Sequence, residues 1–111
     1  MTQFVMELKD KGLYQILSFD GRLDLQSIHA SSIEIKEVPL KHTLVDCTAL
    51  EFVDSSGLGM LASLFQRLKQ LDQKLILMMV PSRILSILQR THLDTLFIIA
   101  ENEEQALNHF N

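Results

Sequence analysis

Several things are scarce in this chain of 111 residues, and each shortage closes off a class of explanation. It has one cysteine, so no intrachain disulfide can hold it. That residue, Cys47, follows Leu44-Val45-Asp46 in an apolar run and reads as a buried free thiol, in keeping with a reducing compartment. Long apolar runs are missing too. The longest, Leu75-Ile76-Leu77-Met78-Met79-Val80, is far short of the ~20 residues that cross a bilayer. The first residues, MTQFVMELKDKG, carry no secretory signal. A soluble, cytoplasmic protein with no direct membrane insertion is expected. Basic excess is absent as well. The net charge is −4, and Lys9-Asp10-Lys11 and Arg67-Leu68-Lys69 are too short and mixed for a nucleic-acid footprint. Glycine and proline are few, and 47% of residues are hydrophobic, which fills a core and argues against disorder. The length implies one domain over residues 1–111.

What is present is a regular succession of short apolar segments. Residues 3–9 place Phe4, Met6 and Leu8 on one side, as a strand does. Asp10-Lys11-Gly12 is a hairpin turn signal, and residues 13–19 form the partner strand, which Asp20-Gly21 ends. Asp24 caps a helix that starts at Leu25 and is expected to run to about Glu37, before Pro39, although the alternation of residues 32–38 would also suit a strand. Residues 44–47 read as a short strand. Leu58, Leu61, Leu64, Phe65 and Leu68 then recur at helical spacing. Asp72-Gln73-Lys74 makes a turn, and residues 75–80, apolar on both faces, suit an interior parallel strand. Pro81-Ser82 opens a helix with Ile84, Leu85 and Leu88 on its buried side, and Thr91-His92-Leu93-Asp94 breaks it. Residues 96–100 form a last strand. Asn102 caps a closing helix with Glu103 and Glu104 in its first turn and Ala106, Leu107 and Phe110 facing in. The order β-β-α-β-α-β-α-β-α predicts an α/β fold, a mixed, mostly parallel sheet of about five strands with helices packed on it.

The chain is organised around residues 44–71, where a strand runs through Phe52-Val53-Asp54-Ser55-Ser56-Gly57-Leu58-Gly59 into an amphipathic helix. Ser55 reads as the helix cap, since a short side-chain oxygen can accept a first-turn N–H. Asp54 adds favourable negative charge at the positive helix end. Read alone, this is a capped helix start. Two serines and two glycines just beyond a strand point further, to an exposed surface at 57–59 that another molecule's backbone or a phosphate can approach. Enzyme motifs fail here. A phosphate-binding loop needs a lysine after its glycines, but Met60 and Leu61 follow Gly59. A hydrolase elbow needs glycine where Val53 stands. The histidines at 29, 42, 92 and 109 have no metal-ligand spacing, and Asp20 and Asp24 beside a turn read as caps. No catalytic residue, metal or cofactor is expected.

The stretch from Phe52 to Gly59 resembles the signature of the STAS family, the anti-sigma-factor antagonists. The likeness covers nearly the whole chain. Gly21-Arg22-Leu23-Asp24 resembles the family's G-x-L-D, Leu44-Val45-Asp46 its central strand, Thr91 to Phe97 its G-L-D-K-L-F segment and Glu103 to Leu107 its closing helix. The resemblance implies a STAS-like fold and a phosphorylation acceptor at the serine directly after the aspartate, Ser55, with Ser56 as second choice. It implies a partner-facing surface of Asp24, Asp54, Ser55, Ser56, Gly57, Leu58 and Gly59. The implied partner is a serine-protein kinase of the histidine-kinase-like ATPase type that doubles as an anti-sigma factor. It is bound by the unphosphorylated form and released on phosphorylation, and a serine phosphatase resets the switch. A monomer is expected when free. The alternative is an accessory STAS subunit of a membrane lipid-transport ATPase complex, in which the serine surface docks without phosphorylation.

Overall fold

The computed structural model describes residues 4–30 and 35–110. Five strands form one sheet in the order β1-β2-β3-β4-β5. They are β1 (Val5–Asp10), β2 (Tyr14–Leu23), β3 (His42–Val53), β4 (Leu75–Met78) and β5 (Ile98–Ala100). β1 is antiparallel to β2, and the other three pairings are parallel. The expected mixed, mostly parallel α/β sheet is therefore present. The helices are α1 (Leu25–Ala30), α2 (Ser55–Lys69), α3 (Ser82–Arg90) and α4 (Glu103–Leu107). Among the described residues, no helix is long and apolar enough to cross a membrane.

Alternation along the strands divides the core between the two faces of the sheet. Leu17 and Phe19 of β2, Val45 and Cys47 of β3, and Leu75 and Leu77 of β4 pack with Leu58, Leu61, Leu64 and Leu68 of α2 and Ile84 and Leu88 of α3. Ile16, Leu44, Ile76, Met78 and Ala100 point the other way, to Ala106 of α4 and the partly buried Tyr14, Leu107 and Phe110. All four residues of β4 are buried, because both of its faces are covered. Cys47 is 1% exposed, and burial pushes its thiol up to about 12. That inert thiol is the one its apolar run predicts.

Several boundaries differ from the sequence reading, each for a local reason. Asp20-Gly21 does not end β2. The strand passes through irregularities between Ser18 and Asp20 and between Gly21 and Arg22, with Gly21 at φ +100°, and continues to Leu23. β3 is not confined to residues 44–47 but runs to Val53, although exposed Thr48, Ala49 and Glu51 break its apolar pattern. Its pairing with β2 carries it on, through Ala49 opposite Asp20, Phe52 opposite Arg22 and Val53 opposite Leu23. β4 stops at Met78 because Met79 turns to φ +54°. β5 starts at Ile98, because the Leu96 and Phe97 N–H groups bond back to the Leu93 carbonyl in a short 3-10 turn. α1 ends at Ala30, and a separate 3-10 turn covers Ile35–Glu37. The stretch of the expected helix at 31–34 lies outside the described residues.

The closing segment is held at the end of the sheet where β3 begins. The His42 ring stacks on Phe110 at 4.5 Å and 20°. Its Nδ1 accepts the Lys74 backbone N–H at 2.9 Å, and the His42 backbone N–H donates to Gln73 Oε1 at 2.9 Å. The Lys74 ammonium donates to the His109 carbonyl. A ring nitrogen that accepts a backbone N–H must be unprotonated. Burial, reinforced by the Lys74 charge, holds the His42 pKa below its ordinary 6.5. The stability that neutral His42 supplies is then fully present above about 6.5 and is lost as pH falls from there through the depressed value. Thermal unfolding between pH 8 and 5 should show wild type losing Tm more steeply below 6.5 than His42→Gln; parallel profiles would remove His42 as the cause.

Candidate functional site

β2 and β3 leave the sheet side by side. Leu23 is opposite Val53, and the Asp54 N–H donates to the Leu23 carbonyl at 3.2 Å. The next residue on each chain segment is an aspartate, and each aspartate begins a helix. Asp24 and Ser27 cap α1 reciprocally. The Asp24 N–H donates to Ser27 Oγ at 2.9 Å, and the Ser27 N–H donates to Asp24 Oδ1 at 3.0 Å. That Ser27 N–H is the main reason the Asp24 carboxyl sits below its usual range, and the Arg22 guanidinium adds to it.

Asp54, not Ser55, is the cap of α2. Its backbone is extended at φ −105° and ψ −174°, and Oδ1 accepts the Gly57 N–H at 2.9 Å. Its other oxygen, Oδ2, accepts the Leu25 N–H of α1 at 3.2 Å. One carboxylate thus satisfies N–H groups at the starts of two helices. A serine hydroxyl would have to serve both N–H groups with one uncharged oxygen, which makes weaker hydrogen bonds than a carboxylate. Ser55 therefore moves to the first helical position, where its side chain is exposed and has no hydrogen bond to the described residues. The hydroxyl is left available because the cap is made by its neighbour.

The seven residues predicted for the site end up at one end of the sheet, beyond the carboxyl ends of β2 and β3, but do not share one exposure. Ser55 and Gly59 are exposed, and Asp24, Asp54 and Ser56 are half-buried. Gly57 and Leu58 point inward, so the expectation of an exposed stretch at 57–59 holds only at Gly59. The backbone that comes close to Gly57 is the chain's own. A Cβ there would lie 2.4 Å from the Leu23 carbonyl oxygen and 2.7 Å from Val53 Cγ2. Around Gly59 there is nothing within 4 Å of a Cβ. Two further residues border the site. Leu25 is 55% exposed despite its apolar side chain, and its N–H is tied to Asp54. Arg22 lies with its guanidinium 4.1 Å from the Phe52 ring centroid and its Nε 3.5 Å from Asp24 Oδ2. Sequence spacing gives no sign of the Arg22–Phe52 contact, because its register is set by two points at which β3 carries an extra residue relative to β2.

Stability measurements separate these roles. Gly57→Ala should destabilise by about 1–3 kcal/mol through overpacking against Leu23, whereas Gly59→Ala should be neutral or stabilising by up to about 1 kcal/mol through helix propensity. Urea unfolding decides it, and equal effects would refute the close approach. In the same assay Asp54→Ala should cost about 1–2 kcal/mol as a lost cap, with Ser55→Ala within about 0.5 kcal/mol of wild type. The reverse order would restore Ser55 as the cap.

The chain matches the STAS domain over residues 6–106. The same fold is found in an anti-sigma-factor antagonist (STAS) domain protein from Planctomyces limnophilus, at a TM-score of 0.80 and 20% identity, covering 94% of this chain and 96% of that one. The anti-sigma factor antagonist SpoIIAA in its unphosphorylated form superposes at a TM-score of 0.70 and 16% identity, covering 96% and 97%. The Bacillus cell fate determinant SpoIIAA in its phosphorylated form gives 0.67 and 19%, covering 96% and 100%. These neighbours are anti-sigma factor antagonists, and with its five-stranded sheet and matching residues 6–106 this chain belongs to the STAS domain family.

Proposed function

We propose that this protein is a phosphorylation-controlled partner-switching regulator, an anti-sigma factor antagonist whose acceptor is Ser55. Unphosphorylated, it binds a serine kinase of the histidine-kinase-like ATPase type that doubles as an anti-sigma factor. Phosphorylation releases it, and a serine phosphatase resets it. The observation that carries this reading is the exposed Ser55 hydroxyl at the first position of α2, relieved of capping by Asp54. The family and the phosphorylated relative agree with it.

The chemistry asks little of this chain. The Ser55 oxygen forms a bond to the γ-phosphorus of ATP, the bond to the ADP oxygen breaks, and the hydroxyl proton passes to a base on the kinase. The added group brings about −1.5 to −2 charges. At a helix start it gains from first-turn N–H groups, so the fold can stay as it is. Against a packed partner it is desolvated and repelled, so the loss falls on the interface. No motif for catalysis is present, and the protein acts as a substrate and ligand of other proteins.

Equilibrium binding to the kinase encoded in the same organism tests this. Ser55→Ala should bind as wild type does. Ser55→Asp should bind at least roughly a hundredfold more weakly, equivalent to about 2.7 kcal/mol. Retained binding by Ser55→Asp would end the proposal. Equal co-purification of wild type and both variants with a membrane lipid-transport ATPase would put a constitutive accessory subunit in its place.

A further inference from the structure

Arg22 is an exposed cation with an incomplete set of partners. Its guanidinium face rests on Phe52, 4.1 Å from the ring centroid, and its Nε meets Asp24 Oδ2 at 3.5 Å, the outer range of an ion pair. Neither terminal nitrogen has a hydrogen bond to the described residues, although a guanidinium carries five donors. Stacking on Phe52 fixes the plane of the group and leaves its donor edge open. Arg22 and Ser55 lie at the same end of the β2–β3 pair. Arg22 is opposite Phe52 in the β2–β3 register, on strands about 4.8 Å apart, and Ser55 follows Phe52 by three residues. The Leu23 carbonyl, next to Arg22 in the chain, accepts the Asp54 N–H and lies against Gly57 in the first turn of α2.

We infer that Arg22 is the positioned cation for a phosphate on Ser55: its open guanidinium edge turns from Asp24 to the phosphate oxygens while its face stays on Phe52. This inference rests on the reading that Ser55 takes the phosphate. Two effects follow from one side-chain movement. The phosphate is paired by a group suited to bidentate recognition, which offsets its repulsion by Asp54 and Asp24. Asp24 loses its ion pair, so its carboxylate faces a partner uncompensated. The modification thus changes the charge at two points of the surface without moving a helix.

Phosphoserine incorporated co-translationally at position 55 of the full chain tests this without the kinase. Phosphorus NMR then reads the second ionisation of the phosphate, near 6 when unperturbed. A pairing cation favours the dianion, so Arg22→Gln should raise that pKa by roughly half a unit or more. Arg22→Lys should restore part of the shift, and Lys11→Gln at the distant hairpin turn should leave it unchanged. Superimposable titrations of wild type and Arg22→Gln would overturn the inference. So would an equal rise in Lys11→Gln, which would reduce the effect to net charge. Amide spectra of the Arg22→Gln protein serve as the check that it is folded. Binding of the phosphoprotein to the kinase is a separate arm. If phosphate leaves that binding intact, the switch fails while the Arg22 result stands.

Discussion

The Asp54 carboxylate is the interaction on which the site depends. Its two oxygens take N–H groups from two helices, Gly57 of α2 and Leu25 of α1, whose starts lie far apart in sequence. Losing such a cap costs about 1–2 kcal/mol, but the geometry matters more than that figure. Both helix starts are fixed to one rigid group at the end of β3. The second constraint is steric. α2 leaves the sheet so close to Leu23 that only glycine fits at position 57 without displacing the strand. Cap and close approach together set the phase of α2, so Ser55 faces outward and Leu58, Leu61, Leu64 and Leu68 face the core.

Topology explains why this happens at one end of the strands. The four parallel strands all deliver the chain toward the same side, the side where open α/β sheets place their sites. β2 and β3 reach further than their neighbours. Pairing of β3 with β4 ends at Asp46 and Met78, whereas pairing with β2 continues to Val53 and Leu23. The site is therefore carried on a two-stranded extension of the sheet. The His42–Phe110 packing belongs to the opposite end, where β3 starts, so the pH-sensitive contact is remote from the serines.

The elements that announced themselves in the sequence are those whose packing is periodic. α2 and α3 show their buried stripes directly, β4 its unbroken apolar run, and α4 its Asn102 cap, whose side chain accepts the Gln105 N–H. The order of strands and helices and the mixed sheet were legible for the same reason, whereas the grouping of Asp24 with Asp54, Ser55 and Ser56 came from the family resemblance alone. What was not legible depends on contacts between segments. The length of β3 is set by its pairing with β2 across two irregularities, not by its own alternation. The cap of α2 was misplaced by one residue, because Asp-Ser offers two adjacent candidates. Only the second hydrogen bond, to Leu25, shows why the carboxylate takes the position. Gly57 and Gly59 look alike in the sequence and differ entirely in the fold, one against Leu23 and the other in open space.

The division of labour between Asp54 and Ser55 bears on how a modification could act here without unfolding the protein. Were the serine hydroxyl the cap, a phosphate on it would replace one of the bonds that start α2, and the switch would be linked to helix stability. With Asp54 as cap, the bonds that hold α1 and α2 persist whatever is attached to Ser55. The cost of a phosphate next to Asp54 is like-charge repulsion, eased by two conditions. Both Asp54 oxygens are already engaged with N–H donors, and α2 is long enough for its N-terminal dipole to favour negative charge. The phosphate's free energy is then expressed outside the molecule, in whatever surface must pack against Ser55. Under the proposed function, that separation would let the domain change partners through surface charge while its core, built around β2, β3 and β4, takes no part.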